Sequence, residues 1–158
     1  MFREMRRKNQ ALSEEDCIRI LTEEPRGVLS VNGDDGYPYG TPIDHYYHAG
    51  DGKIYFHSGM IGHRVDAMKA DPKASYCVYN EGFRREGEWA LNISSVIVFG
   101  RLEIVEDKEL AMQMVRRLCD KFTDDEEYIE REIRQAGPHT LIFALVPEHM
   151  PGKLVNEA

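Results

Sequence analysis

Between Lys53 and Met68 the chain changes its hydrophobic period, and the change organises what surrounds it. Lys53-Ile-Tyr-Phe56 alternates and is rich in aromatic and branched residues, as a strand is; Ile61, Val65 and Met68 then recur at i, i+4 and i+7, as a helix requires. Gly59 and Gly62 loosen the turn between them, and Asp71-Pro72 stops the helix. A strand that breaks and re-forms as a helix leaves backbone N–H groups unpaired at the helix start, where they favour an anion. Ser58, His63 and Arg64 stand around that spot, a hydroxyl and two further donors, of which Arg64 carries a fixed positive charge. This is phosphate chemistry. The plainer alternative makes Ser58 an N-cap and His63 and Arg64 a solvated first turn, and neither a Walker nor a G-x-G-x-x-G pattern is present to decide.

The same pattern reading extends in both directions. Ser13-Glu-Glu-Asp16 opens a short amphipathic helix carrying Cys17, Ile18 and Leu21, with Ser13 and Asp16 as an acidic variant of the capping box; Pro25 ends it. Gly27 to Val31 is a first strand, and Asn32 to Gly36 turns it into an extended segment, Tyr37 to Tyr47. Thr41, Ile43, His45 and Tyr47 share one face of that segment, and Pro42, Asp44, Tyr46 and His48 the other. Pro38 and Pro42 cannot donate to a ladder, so the segment is an edge or runs irregularly past a ligand. Ala49 to Gly52 forms a second hairpin with the Lys53 strand. Ala74 to Tyr79 is another strand, Asn80 to Glu88 a polar loop with Arg84 and Arg85, and Trp89 to Val105 the longest extended region, with Gly100 as a bulge or close-approach point.

Residues 107–136 are helical by the same criteria. Asp107 starts a helix whose stripe of Ala111, Met112, Val115, Leu118, Cys119 and Phe122 is the expected core face; Thr123-Asp-Asp-Glu-Glu127 starts another that runs to Gln135 and ends at Gly137-Pro138. Thr140 to Val146 is a buried strand, and Glu148 to Leu154 one more short extended piece. Six or seven short strands with early hairpins and about four helices favour a closed or split antiparallel barrel over a doubly wound sheet. No repeat or linker divides residues 1–158, which form a single domain; residues 1–10, with Arg3, Arg6, Arg7 and Lys8, make a solvated arm.

Composition narrows the class. A chain of 158 residues, 42% hydrophobic, buries roughly 68–70% of its unfolded surface as one domain. Its net charge of −8 excludes a dedicated nucleic-acid binder, which needs a basic stripe. Cys17, Cys77 and Cys119 are odd in number and in no CxxC spacing, so no disulfide is expected and a reducing cytoplasm suits them. The longest strictly apolar run, Leu141 to Val146, is far short of a membrane span, and the charged start is not signal-like; a soluble cytoplasmic protein is expected. His45 and His48 face opposite sides of an extended segment, which excludes them as a metal pair, and no G-x-S-x-G elbow supports hydrolase chemistry.

Taken in order, Thr41-Pro42-Ile43, a hairpin, Ile54-Tyr-Phe-His57-Ser58, Gly62-His63-Arg64, Asp71-Pro72-Lys73-Ala74 and Ser95-Val96-Ile97-Val98-Phe99-Gly100-Arg101 resemble the flavin-binding split-barrel superfamily of the pyridoxamine-phosphate oxidases. Within it, the chain is similar to the nitroimidazole-resistance reductases. The resemblance covers Ala11 to Val105 well and the remainder loosely. It implies a mainly β protein with peripheral helices, a six-stranded antiparallel Greek-key split barrel that forms a homodimer. FMN, or less often FAD, would lie in a groove between the subunits. On this resemblance His57, Ser58, Gly62, His63 and Arg64 are phosphate and ribityl contacts, Thr41, Pro42, Ile43 and Asp44 run along the isoalloxazine edge, and Ser95, Val96 and Ile97 approach from the partner subunit. The oxidases also hold their substrate with a C-terminal Arg/His cluster. This chain ends Pro151-Gly-Lys-Leu-Val-Asn-Glu-Ala158 with only Lys153 nearby, which argues against vitamin B6 oxidation.

Histidine titrates near neutrality, so His45 together with Tyr46 is the candidate proton donor beside a flavin. The expected function is an FMN-dependent oxidoreductase that reduces a small planar oxidised compound such as a nitroaromatic, recharged by NAD(P)H or another donor. A non-catalytic flavin- or haem-binding module and a pyridoxamine 5'-phosphate oxidase are the alternatives. Apolar residues on both faces of the 95–101 strand, Val96 and Val98 against Ile97 and Phe99, point to a dimer interface there, unless one face packs under the Asp107 to Phe122 helix.

Overall fold

Arg26–Asn32 (β1) and Pro38–Asp44 (β2) form the first hairpin and Tyr46–His48 (β3) and Lys53–Gly59 (β4) the second; Lys73–Tyr79 (β5), Asn92–Ile104 (β6), Thr140–His149 (β7) and Gly152–Asn156 (β8) follow. The computed structural model, which describes residues 1–158, joins them in the order β2-β1-β5-β6-β7-β4-β3, with β8 paired to the first half of β6. All pairings are antiparallel. β5, β6 and β7 form a meander and β4 returns to lie beside β7, which is a Greek key. The sheet has eight strands rather than the expected six, for two local reasons. The 37–47 segment bends at His45 and becomes two strands, and Gly152–Asn156 pairs with β6 as a strand of its own.

Alternation decides what fills the curled sheet. Leu29 and Val31, Tyr76 and Val78, Val96 and Val98, and Ile54 and Phe56 all point inward and join one buried cluster. Glu14–Glu23 (α1) adds Cys17, Ile20 and Leu21 to that cluster, and His63–Ala70 (α2) adds Val65, Ala67 and Met68. Burying each large apolar side chain stabilises the fold by about 1.5–3 kcal/mol. Lys108–Phe122 (α3) lies outside on β3, β4 and β7, where Met114 meets Tyr55, Ile142 and Ala144. Glu126–Ala136 (α4) is fastened to α3 by Arg116, which pairs with Glu126 and Glu130.

The α3 stripe differs from the expected one. Met114 and Leu118 are the buried residues, whereas Met112 is 51% and Phe122 47% exposed, because α3 rests on the sheet by a narrow side and its flank turns toward α4 and solvent. The N-terminal arm is anchored at Phe2, whose ring stacks on His149 at 4.9 Å. Gly100 is both a bulge and a close approach: the β6–β7 register shifts there, and a Cβ would overlap the Val146 carbonyl oxygen. No helix is long and apolar enough to cross a membrane.

Three of the four α-helices begin with their own side-chain cap. Ser13 accepts from the Asp16 N–H, Asp107 from those of Glu109 and Leu110, and Asp125 from that of Tyr128. The start of α2 has none, since its N-cap is Gly62.

Candidate functional site

The barrel fails to close between β2 and β4. β2 pairs only with β1, and β3 covers β4 only from Lys53 to Tyr55, so the remainder of β4, paired with β7 on its other side, faces β2 with no ladder between them. The expectation that Pro38 and Pro42 mark an edge strand is met. Chain crosses this split at two places, in opposite styles.

At one end the crossing residue is His45, the corner between β2 and β3. It is fully buried, its Nε2 lies 2.7 Å from the Leu21 carbonyl oxygen, and its Nδ1 lies 2.7 Å from the Tyr76 hydroxyl. A carbonyl only accepts, so Nε2 carries the proton and Nδ1 is the acceptor. Tyr76 is also within 2.8 Å of the Ile43 carbonyl, and Lys121 donates to the carbonyls of Glu24 (2.6 Å) and His45 (2.8 Å). Burial, and then the neighbouring Lys121 charge, push His45 down to about 3; burial lowers Lys121 itself to about 8. His45 is therefore neutral at ordinary pH, shielded from ligands and committed through both nitrogens. Its expected role as a proton donor is corrected, and Tyr46 goes with it. Tyr46 packs with the Tyr55–Met114 cluster on the α3 side, its hydroxyl 3.5 Å from His48 Nδ1, and lines neither of the two cavities described below. The cause is the bend, which turns His45 into the core and starts a new strand on the far edge.

At the other end stands the turn from β4 into α2. Gly62 has φ 140° and ψ 174°, a conformation essentially reserved for glycine, and it leaves the first N–H groups of α2 without a side-chain acceptor. Arg64 reaches across the split to Thr41, with Nε 3.2 Å and Nη2 2.5 Å from its Oγ1. His63 stacks on Tyr39 at 4.0 Å, and its Nε2 lies 3.8 Å from Asp34. Ser58 donates to the Gly59 carbonyl at 2.8 Å and borders, with Tyr39, Gly62, His63 and Arg64, a cavity of about 200 Å³.

Thr41, Ser58, Gly62, His63 and Arg64 thus come together as a group. His57 does not join them: strand alternation places it with Tyr55 on the outer face, toward α3 and α4. Pro42 and Asp44 face outward along β2, and Ile43 packs against the core. Val96 is fully buried in the barrel and lies between Val78 of β5 and Gly152 of β8, so it does not join the group. Ser95 and Ile97 lie on the outer face of β6, three strand spacings of about 4.8 Å from β2. Tyr39 was missed, although it sits two residues before Thr41 and period-two alternation puts both on one face.

An uncapped helix start, a guanidinium and a hydroxyl fit a dianionic phosphate, and the unpaired peptide groups of β2 fit the hydrogen-bonding edge of a flat heterocycle. An antiparallel Greek-key barrel split at such a place is the architecture of the flavin-binding split barrels. The sequence pattern of the pyridoxamine 5'-phosphate oxidase family matches residues 13–154, and the chain belongs to that family. Among solved structures, it is similar to one from Bacteroides thetaiotaomicron described as a candidate 5-nitroimidazole antibiotic resistance protein. That likeness has 15% identity and a TM-score of 0.76, over 92% of this chain and 87% of the other. A conserved hypothetical protein from Mycobacterium tuberculosis gives 17% identity and a TM-score of 0.81 over 95% and 89%, and an FAD-binding protein from Mesorhizobium loti gives 24% and 0.69 over 92% and 97%. At these identities the likeness establishes the fold. No curated protein matches the chain.

Proposed function

We propose that this protein is a flavin-dependent oxidoreductase that holds FMN across the split and reduces a small, flat, oxidised compound of the nitroaromatic kind. The observation that carries the reading is the start of α2, which lacks the side-chain cap of its three fellow helices and instead has Arg64 and Ser58 beside it. Arg64 and the free N–H groups would hold the phosphate, Ser58 and His63 would flank it, and the edge of β2 from Thr41 to Asp44 would lie along the ring. Bound flavin would supply the electron transfer, with a reduced nicotinamide as the donor that recharges it. One uncapped helix start suits the single phosphate of FMN better than the pyrophosphate of FAD. Two of the similar structures, an FAD-binding protein and a candidate nitroimidazole-resistance protein, support the class.

The reading includes a homodimer. Ser75, Cys77, Ser95, Ile97 and Phe99 form an uncharged outer face on β5 and β6, and Tyr79 beside it is 57% exposed. α3 packs on β3, β4 and β7 and leaves this face free of helices, Phe2 being its cover at Phe99. A second subunit seated here would bring Ser95 and Ile97 toward its neighbour's flavin. Three free cysteines suit the cytoplasm as the compartment.

Oxidation of pyridoxamine phosphate is disfavoured because it needs a second anion site. Arg84 is spent on the Trp89 carbonyl at 2.9 Å and Arg101 on Glu148 at 3.0 Å. Stopped-flow reoxidation decides between them. The reduced, FMN-loaded protein should be reoxidised by nitroaromatics faster than free reduced FMN is. Reduction of the bound flavin by pyridoxamine phosphate, without that acceleration, would reinstate the oxidase, and loading with haem in place of FMN would support a binding module.

A further inference from the structure

A second cavity lies where the split opens outward. It measures about 280 Å³ and is bounded by β2 at Asp44, by β4 at His57, and by α3 and α4. Its walls are apolar, chiefly Leu118, Phe122, Tyr128 and Ile133. Phe122 is 47% and Tyr128 44% exposed, so two large aromatic side chains flank the opening; Lys121 lies 6.0 Å from the Phe122 ring centre and Arg131 5.3 Å from that of Tyr128. The volume sits at the small end of the roughly 300–1,000 Å³ typical of ligand pockets, enough for one ring or a fused pair.

The charged side chains that line it have one sign. Asp44 and Glu132 line the cavity, and no lysine or arginine does. Asp44 shares its charge with Arg26, 3.0 Å away, whereas Glu132 makes no ion pair. Lys121 is close in sequence but is turned to the carbonyls of Glu24 and His45. Cys119 also lines the cavity, and burial followed by the Asp120 charge pushes its thiol up, so it stays a neutral wall and not a nucleophile. His57 is exposed on the rim.

We propose that this cavity is the substrate pocket, and that it takes a flat ring that is neutral or cationic while excluding anions. The inference rests on the reading that the flavin occupies the split, because Asp44 and His57 belong to the two strands that border it, and a ring held between Phe122 and Tyr128 opens toward that place. It also names the substrate class: an uncharged or basic heteroaromatic compound, not a phosphorylated or carboxylated one.

The test uses three probes of one shape and different charge: benzamidine, benzamide and benzoate. Their affinities for the flavin-free, full-length chain are measured by calorimetry and by amide chemical-shift changes, with an FMN titration run in parallel. Benzamidine and benzamide should bind, with shifts confined to α3, α4, Asp44 and His57, and benzoate should bind at least tenfold more weakly. Glu132→Gln should remove most of the preference of benzamidine over benzoate, and Ala136→Trp, at an exposed lining position, should abolish binding of all three. Benzoate binding as tightly as benzamidine, no probe binding, or shifts elsewhere would overturn the proposal. Charge discrimination with no FMN binding would instead overturn the flavin reading and leave the pocket standing.

Discussion

The two ends of the split are built from similar residue types and do opposite things. At the His45 end an imidazole, a phenol and an ammonium meet four backbone carbonyls at 2.6–2.8 Å, and the imidazole and phenol are bonded to each other. At the α2 end an imidazole, a phenol and a guanidinium also meet, yet Tyr39 and His63 only stack, Arg64 has one hydroxyl partner, and the helix start has no cap. The difference is one of saturation. Where every donor is spent on the fold, the polar cluster fastens α1, the β2–β3 corner and α3 together; where donors are left over at the surface, the cluster is fit to hold something else.

The comparison can be broken by attacking each end separately. His45→Ala should have the largest effect, because it leaves the Leu21 carbonyl without its donor, at about 1–3 kcal/mol, takes one partner from the Tyr76 hydroxyl, and opens a cavity in the core. A urea melt should show a loss of roughly 2–5 kcal/mol in unfolding free energy, whereas FMN affinity, measured well below the midpoint, should change little. A variant that lost flavin and kept its stability would reverse the assignment of the two ends. Gly62→Ala should come next, costing about 1–3 kcal/mol for the strain of a side chain at φ 140°. Here both the melt and the FMN titration should move, because the strained residue is the one that aims the α2 N–H groups.

Acid should act through the His45 end. Folded His45 stays neutral down to about pH 3, whereas the unfolded residue takes up a proton near its ordinary pKa of about 6.5. Between those values the unfolded state binds more protons, so stability must fall as pH falls, by about 1.4 kcal/mol per unit from this group. From pH 7 to pH 4 the urea midpoint should fall more steeply for wild type than for His45→Gln, so that the gap between them narrows. Parallel slopes would mean that His45 titrates normally. The smallest effect is expected for Ser58→Ala, which removes a neutral donor worth about 0.5–1.5 kcal/mol, or roughly twofold to tenfold in FMN affinity, with no measurable loss of stability.

Local pattern made most of the fold legible. Alternation marked β1, β4, β5 and β6, Ser13 and Asp107 marked helix starts, and Gly59 to Gly62 marked the strand-to-helix turn with its hydroxyl and cations. The corner at His45 was not legible, because Tyr37 to Tyr47 alternates without interruption and nothing local reports that its two halves pair with opposite ends of the sheet. That single bend accounts for one of the two extra strands, for the burial of His45 and for the position of Tyr46 on the far edge. His57 was grouped with Ser58 on the family resemblance, although period-two alternation already sends them to opposite faces. Glu132 and Tyr128 could not be linked to Asp44 and His57 at all, since only the docking of α4 on α3 brings them to one cavity.

The claim that the unsaturated end holds a phosphate is tested most directly by a double difference: FMN and riboflavin, each titrated into wild type and into Arg64→Ala. Charge-assisted hydrogen bonds are worth about 1.5–3 kcal/mol, so Arg64→Ala should weaken FMN roughly tenfold to a hundredfold. Riboflavin has the same ring and ribityl chain without the phosphate, and should bind both proteins equally. Wild type should therefore prefer FMN strongly and the variant much less. If the preference for FMN over riboflavin is the same in both proteins, Arg64 does not bind phosphate and the α2 turn is not the anchor of the flavin.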